Sequence, residues 1–304
     1  MNSGYLKTVR LLLEVAPAVF AGGRFAMKGG TALNLFVQDM PRMSVDIDVV
    51  YVPHEQARDE ALQSISDDLT LVKVQLEAQG LQATLRKNRD ATEAKLFVFD
   101  GESEVKVEVN FVFRGTALPP VDRSLTAQAQ ERFAANVTVP VLAVPELYGS
   151  KLVAALDRQH PRDLFDVMLM LQRFGLPEDF LDCFVLYLAG HDRPVHEVLF
   201  PNAQNIDVLF ANEFAGMTMQ PVTLHELKST REQLFKALPM ALNERQRGFL
   251  LSMVRAEPDW ALLPFAHASE LPALRWKLLN LNKLKKNPFK FRHQYDVLKA
   301  KFEE

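Results

Sequence analysis

The sequence predicts an α+β protein, in which a mixed sheet with flanking helices is followed by a mostly α-helical C-terminal domain. Three observations lead to this prediction: strand and helix patterns alternate in the first half, strand patterns stop near residue 142, and amphipathic helix patterns fill the remainder. The chain has 304 residues, which at about 150 residues per domain indicates two domains. We place them at residues 1–142 and 143–304.

Two kinds of spacing define the elements of the first half. Apolar residues at intervals of three and four predict helices, and runs rich in β-branched residues predict strands. Gly22-Gly23 ends the first helix, and Asp100-Gly101 is typical of a hairpin turn. The predicted helices cover 3–20, 31–38 and 54–79, and the predicted strands cover 45–52, 81–87, 94–99, 104–113 and 137–142.

Helical patterns alone continue from Pro145 onward, and prolines and glycines separate most of them. No internal repeat or low-complexity tract interrupts this part of the sequence. The predicted helices cover 145–158, 161–174, 177–189, 203–211, 223–238, 243–255, 271–286 and 291–302.

The composition is that of a folded protein, with 48% hydrophobic and 24% charged residues. A net charge of −3 excludes a uniformly basic protein, so any nucleic-acid contact needs a local patch. Cys183 is the one cysteine, which excludes an internal disulfide and a cysteine-based zinc site and favours a reducing, cytoplasmic compartment. No apolar run reaches the roughly 18 residues of a membrane helix, and Glu14 argues against a secretion signal. We therefore expect no membrane association.

Asp46 and Asp48 alternate with apolar residues in a predicted strand, so their carboxylates share one face. Such a pair can hold Mg²⁺, which prefers oxygen ligands. Glu108, on a later predicted strand, could add a third carboxylate. Each feature alone also fits a strand with a charged, solvent-exposed face, and that alternative stays open.

Gly29-Gly30-Thr31 precedes the acidic pair and opens a short helix. Backbone N–H groups in such a turn can bind phosphate, and Lys28 adds a positive charge. The turn matches neither the P-loop nor the dinucleotide-binding glycine motif, so a plain turn is the alternative. The order of glycine turn, acidic pair and later acid favours the functional interpretation.

Two further pairs of charged residues lie in the helical half. Lys151 and Arg158 are two helical turns apart and face the same way, and Asp163 and Asp166 share a face of the next helix. A purely structural role would explain these residues equally well. Aspartates in the first turns of a helix stabilise its dipole, and Arg162 can pair with Asp166.

The C-terminal segment is basic. Residues 275–304 carry nine Lys or Arg residues against three Asp or Glu residues, with aromatic residues among them. This pattern is typical of an RNA-contacting surface, and it fits equally well an amphipathic helix with core aromatics and solvated lysines. The candidate RNA contacts are Lys283, Lys285, Lys286, Lys290 and Arg292.

The order of these motifs resembles the nucleotidyltransferase fold of the DNA polymerase β type. Over nearly its whole length the chain is more specifically similar to the AbiEii/AbiGii toxin family. The similarity rests on Phe25-Ala-Met-Lys-Gly-Gly-Thr-Ala-Leu-Asn-Leu, Arg42-x-Ser44-x-Asp46-Ile-Asp48, Lys151-Leu-x4-Leu-Asp-Arg158 and Arg162-Asp163-Leu-Phe-Asp166. Softer matches are Phe214-Ala-Gly-Met-Thr and Leu274-Arg-Trp-Lys-Leu-Leu-Asn-Leu.

The resemblance implies an Mg²⁺-dependent nucleotidyltransferase toxin that transfers nucleotides from an NTP to RNA, such as the 3′ end of tRNA. It further implies a toxin–antitoxin or phage-defence system of the abortive-infection kind, with a cognate antitoxin encoded nearby. Two alternatives stay open: an acceptor that is a small molecule or a protein side chain, and an inactive nucleotide-binding or interaction module.

The resemblance also implies roles for individual residues. The helical domain would complete the active-site cleft, with Lys151 and Arg158 as phosphate contacts and with Asp163 and Asp166 orienting these cations or assisting deprotonation. The catalytic residues would be Asp46, Asp48, Lys151, Asp163 and Asp166. The Mg²⁺ ligands would be Asp46, Asp48 and Glu108, and the nucleotide-binding residues Lys28, Gly29, Gly30, Thr31, Arg42, Ser44 and Arg158.

Overall fold

The computed structural model describes residues 3–87 and 93–304. The chain forms two compact units, of which the first comprises Met1–Ala143 and Met217–Gln220 and the second comprises Val144–Gly216 and Pro221–Glu304. The first unit is therefore assembled from two separate stretches of sequence.

Backbone hydrogen bonding fastens the segment Met217–Gln220 into the first unit. Arg42 and Thr218 form an isolated antiparallel bridge, and the Met43 N–H donates to the Met217 carbonyl at 2.8 Å. The short stretch around Arg42 thus gains its backbone partner from residues far along the chain.

The first unit is built on a seven-stranded mixed sheet, which confirms the predicted fold class. The strand order is β3-β4-β5-β2-β1-β7-β6, in which the pairs β2–β5 and β1–β7 are parallel and the others antiparallel. The strands are β1 (Phe25–Lys28), β2 (Ile47–Tyr51), β3 (Gln82–Lys87), β4 (Glu93–Phe99), β5 (Glu104–Asn110), β6 (Val121–Ser124) and β7 (Thr138–Val141). The helices are α1 (Ser3–Phe20), α2 (Gly29–Thr31), α3 (Arg58–Ala78) and α4 (Ala127–Phe133), with a π-helical segment at Ala32–Val37.

Apolar spacing explains most of these elements. Helix α1 buries Val9, Leu12 and Ala16 completely, at intervals of three and four. Strand β2 buries Ile47 and Val49 completely, as alternation along a half-buried strand requires. The core of the unit therefore consists of the apolar faces that the sequence pattern predicts.

Four elements differ from the prediction. Strand β2 begins at Ile47, so Asp46 lies just before the strand and not within it. The predicted helix over 31–38 consists of the end of α2 and the π-helical segment. Strand β6 and helix α4 were not predicted, because the mostly exposed β6 and the short α4, which buries only Ala129 and Phe133, lack a clear apolar period.

The second unit is helical, as predicted. Its helices are α5 (Val144–Asp157), α6 (Pro161–Phe174), α7 (Glu178–Ala189), α8 (Val195–Leu199), α9 (Asp207–Glu213), α10 (Leu224–Ala241), α11 (Glu244–Val254), α12 (Pro272–Leu284) and α13 (Pro288–Glu303). Helix α5 packs closely on α7, because a Cβ atom at Gly149 would lie 2.6 Å from the Cys183 Cβ. Helix α8 was not predicted, since five residues are too few to show a period.

Cys183 is free and buried at this contact, and burial raises the pKa of its thiol. No helix within 3–87 or 93–304 is long and apolar enough to cross a membrane.

Candidate functional site

A row of charged residues crosses three adjacent strands of the first unit. Lys28 on β1 lies opposite Asp48 on β2, and Asp48 lies opposite Glu108 on β5. Residues directly opposite each other on neighbouring strands point to the same face of a sheet. The register therefore brings Asp48 and Glu108 together, while Asp46 lies two residues before Asp48 on the segment entering β2. We call the row of Lys28, Asp48 and Glu108, together with Asp46, the acid face.

The glycine turn is packed directly against the residues that the sequence singled out. Gly29 has φ +76°, a left-handed conformation, and a Cβ atom there would overlap with Oδ2 of Asp48. A Cβ atom at Gly30 would lie 2.6 Å from a terminal nitrogen of Arg42 and 2.8 Å from Oγ of Ser44. Glycine is therefore favoured at Gly29 by both conformation and packing, and a side chain at Gly30 would require Arg42 and Ser44 to shift.

Two buried polar side chains hold this turn in place. The Thr31 hydroxyl donates to the Asp46 carbonyl at 2.6 Å and lies 3.0 Å from Oγ of Ser44. The Asn34 amide donates to the Gly30 carbonyl at 2.7 Å, and its oxygen accepts from the backbone N–H of Arg42 at 3.2 Å. Thr31 is completely buried, so its side chain holds the turn and the acidic segment in position from the protein interior.

Sequence reasoning missed Asn34, although one signal was present. Asn34 lies four residues after Gly30 and is the polar position in the apolar run Ala-Leu-Asn-Leu-Phe-Val. A polar side chain buried among apolar neighbours needs hydrogen-bond partners. Here its partners are the two segments that form the site.

Two lysines neutralise the acid face. Lys95 on β4 and Lys106 on β5 each lie 2.9 Å from Oε1 of Glu108, and Lys106 lies 3.7 Å from Oδ1 of Asp46. Partial burial alone would raise the pKa of Glu108, but hydrogen bonds from the two lysines outweigh it and lower this pKa. Glu108 is therefore ionised at neutral pH. Lys106 shares a strand face with Glu108 because it lies two residues before it, and Lys95 was missed because only the β4–β5 register places it beside Glu108.

The donor set of the acid face suits a hard divalent cation, since Asp46, Asp48 and Glu108 offer only carboxylate oxygens. Among the residues that the structure describes, no three His, Cys, Asp or Glu side chains are grouped closely enough to hold a metal ion. A metal would compete with Lys95 and Lys106 for Glu108. Lys106 also lies 3.7 Å from Oδ1 of Asp46, so a metal there would meet the same competition.

A second charged cluster lies within the helical unit. Nζ of Lys151 lies 2.9 Å from Oδ1 of Asp163 and 3.1 Å from Oδ2 of Asp166. Arg158 donates to Asp163 through two nitrogens, at 2.5 and 3.0 Å. Lys151 and both aspartates are more than nine-tenths buried, whereas the Arg158 side chain is 63% exposed. We call these four residues the Lys151 cluster.

Burial and charge set the protonation of this cluster. Burial alone would raise the pKa of Asp163, but the charges and hydrogen bonds of Lys151 and Arg158 hold it well below its usual value. The buried Lys151 ammonium is held between two carboxylates, whereas the guanidinium of Arg158 is exposed. Arg162 lies 3.6 Å from Glu213, and the carboxylate of Asp166 pairs with Lys151. These two ion pairs form instead of the alternative pair between Arg162 and Asp166.

The basic C-terminal segment presents both charge and aromatic surface. All five lysine and arginine candidates of α12, α13 and the turn between them are exposed. Phe289 is 81% exposed and Trp276 is 40% exposed, so neither is a core residue. Phe289 stacks on His293 with an interplanar angle of 5°. Lys277 differs from the other lysines, because it is buried and donates to the carbonyls of residues 191–193.

Comparisons with known proteins agree with these observations. A family model described as the nucleotidyl transferase AbiEii toxin of type IV toxin–antitoxin systems matches residues 10–280, which confirms the AbiEii resemblance. Among solved structures, the fold is similar to MenT4, a nucleotidyltransferase toxin from Mycobacterium tuberculosis H37Rv, with a TM-score of 0.60 and 18% sequence identity. The match covers 90% of this chain and 92% of that one. A comparison with curated protein sequences found no match.

Proposed function

The chain belongs to the AbiEii nucleotidyltransferase toxin family of type IV toxin–antitoxin systems, and on that premise we propose that it transfers nucleotides from an NTP to RNA. The 3′ end of tRNA is the first acceptor to test. The observation that carries the proposal is the packing of the Gly29-Gly30 turn against Asp48, Arg42 and Ser44. In this packing, backbone N–H groups that would bind phosphate lie beside the carboxylate of Asp48.

In the proposed reaction, the acceptor hydroxyl oxygen attacks the α-phosphorus of the NTP. The bond to the bridging oxygen breaks, pyrophosphate leaves, and the hydroxyl proton passes to a base or to water. Lys28 and the backbone of Gly29 and Gly30 bind the triphosphate, assisted by Arg42 and Ser44. Mg²⁺, held by Asp46, Asp48 and in part by Glu108, would supply Lewis-acid stabilisation of the phosphate oxygens.

The residues of the Lys151 cluster divide their roles by exposure. Arg158 offers its guanidinium to a phosphate of the nucleotide or of the RNA, while Asp163 orients it through two hydrogen bonds. Lys151 neutralises the buried charges of Asp163 and Asp166. We propose that this cluster and the acid face are both required for transfer.

The basic surface of α12 and α13 supports an RNA acceptor. Lysines and arginines that face solvent bind phosphates, and an exposed aromatic ring such as Phe289 can stack on an unpaired base. Single-stranded RNA ends combine both features. Family membership also implies an antitoxin as a protein partner.

The experiment incubates the purified chain with each α-labelled NTP, Mg²⁺ and total RNA, and separates the products on a gel. We expect one or more labelled RNA bands, their loss when EDTA is added, and their loss with Asp48→Asn. If the label appears on a small molecule or on protein and none appears on RNA, the acceptor is that molecule and not RNA. No transfer to any acceptor by a folded protein that still binds NTP would favour a non-enzymatic module.

A further inference from the structure

The turn between α5 and α6 contains a residue in an unfavourable conformation. Gln159 has φ +49°, which lies in the left-handed region where glycine is favoured. Gln159 is also completely buried. A glycine would adopt this conformation more readily, so the glutamine side chain must contribute something that glycine lacks.

The Gln159 amide makes three hydrogen bonds. Its nitrogen donates to the Asn202 carbonyl at 2.8 Å. Its oxygen accepts from the Gln204 backbone N–H at 2.9 Å and from Arg231 at 3.3 Å. Arg231 is itself buried and donates to the Gln204 carbonyl at 2.6 Å. The side chain therefore anchors the turn to the 202–204 segment and to α10.

The position of this turn decides where Arg158 points. In a continuous helix, residues five apart lie about 140° apart around the axis and cannot meet. Arg158 and Asp163 are five apart, yet two hydrogen bonds join them. They meet because the chain reverses at Gln159 before α6 begins at Pro161.

We propose that Gln159 is a positioning residue for nucleotide transfer, which acts by holding the α5–α6 turn so that Arg158 is fixed against Asp163. The proposal rests on the proposed function, because it assigns Arg158 a phosphate contact in that reaction. Its structural half, the dependence of the Arg158–Asp163 pair on Gln159, can be measured without substrate.

The substrate-free test uses the full chain labelled with ¹⁵N-arginine. The Nε–H signal of Arg158 is assigned by its loss in Arg158→Ala, and its exchange with water is compared between Gln159→Ala and Gln246→Ala. Gln246 is the matched control, because it is a completely buried glutamine of the same unit whose amide donates to Asp182 at 2.7 Å. We expect the signal to be lost through fast exchange in Gln159→Ala and kept in Gln246→Ala. A signal that persists in folded Gln159→Ala overturns the proposal.

The activity test is a double-mutant cycle of Gln159→Ala and Arg158→Ala. We expect Gln159→Ala to lower kcat about tenfold or more, and to have no further effect once Arg158 is alanine. Gln246→Ala should keep kcat near that of the wild type at a temperature where it is folded. Additive effects, or an unchanged kcat in Gln159→Ala, would remove the positioning role. A wild-type protein without transfer activity would refute the proposed function, and the exchange experiment would still decide the structural half.

Discussion

Asp48 and Glu108 lie directly opposite each other on the parallel strands β2 and β5. Two carboxylates in such a position repel each other unless cations accompany them. Lys95 and Lys106 supply this charge at Glu108, and Lys106 also approaches Asp46. The protein thus stabilises one part of the acid face with its own lysines.

Asp48→Asn should lower transfer by several orders of magnitude with little loss of stability. The change removes an expected Mg²⁺ ligand, while relief of carboxylate repulsion offsets the lost contacts. Turnover with labelled NTP and the thermal midpoint are the measurements. Asp122→Asn, at an exposed aspartate on β6 of the same unit, is the control. Near-normal turnover by folded Asp48→Asn would contradict the metal assignment.

Gly30→Ala should weaken NTP binding about tenfold or more, because the added methyl group would displace the Arg42 guanidinium and the Ser44 hydroxyl. Gly22→Ala is the matched control, since a Cβ atom there meets nothing within 4 Å. Equilibrium NTP binding is measured for both variants. Equal NTP affinities in the two alanine variants would show that the close packing at Gly30 does not affect nucleotide binding.

Lys151→Ala should destabilise the protein by about 3–5 kcal/mol, because it leaves two buried carboxylates without a counter-charge. This result would differ from that of a surface phosphate contact, whose loss lowers activity and barely moves stability. Urea unfolding measures the effect. The triple variant Lys151→Met, Asp163→Asn, Asp166→Asn should regain part of the stability and remain inactive. If Lys151→Ala unfolds at the same urea concentration as the wild type, Lys151 does not belong to a buried ion cluster.

Acid should destabilise the protein through Asp163. Its pKa is lower in the folded chain than in the unfolded chain, so its contribution to stability is complete above pH ~4 and is lost as the pH falls below that value. Thermal midpoints of the wild type and of Asp163→Asn should therefore converge between about pH 4 and pH 2. A constant difference between the two proteins over this range would show that Asp163 is not held ionised.

Reversing the charge of Lys285 and Lys286 to Glu should weaken RNA binding and flatten its salt dependence by about one unit of log–log slope per lost phosphate contact. NTP binding should not change, because neither lysine belongs to the proposed nucleotide-binding residues. The control double variant changes Lys73 and Lys228 to Glu, two lysines that are already ion-paired with Glu77 and Asp207. If both double variants bind RNA like the wild type, the two C-terminal lysines are merely solvated.

Local spacing was sufficient to predict which face the residues of β2 and β5 occupy. Alternation places Ile47 and Val49 inside, and the register then brings Asp48 beside Glu108. Spacing could not reveal Lys95, because its neighbour Glu108 depends on how β4 and β5 pair. Nor could it show that Lys151 is buried, since burial depends on the packing of whole helices, and an amphipathic period does not say how deep a lysine lies.

The return of Met217–Gln220 to the first unit has a consequence for biosynthesis. Residues near Arg42 emerge early from the ribosome, but the backbone partner of this segment, Thr218, is made only after much of the helical unit. Until then, the stretch that carries Arg42 and Ser44 lacks one of its strand contacts. A nascent or prematurely terminated chain that stops before Met217 therefore lacks this backbone partner for the segment that we propose to bind nucleotide.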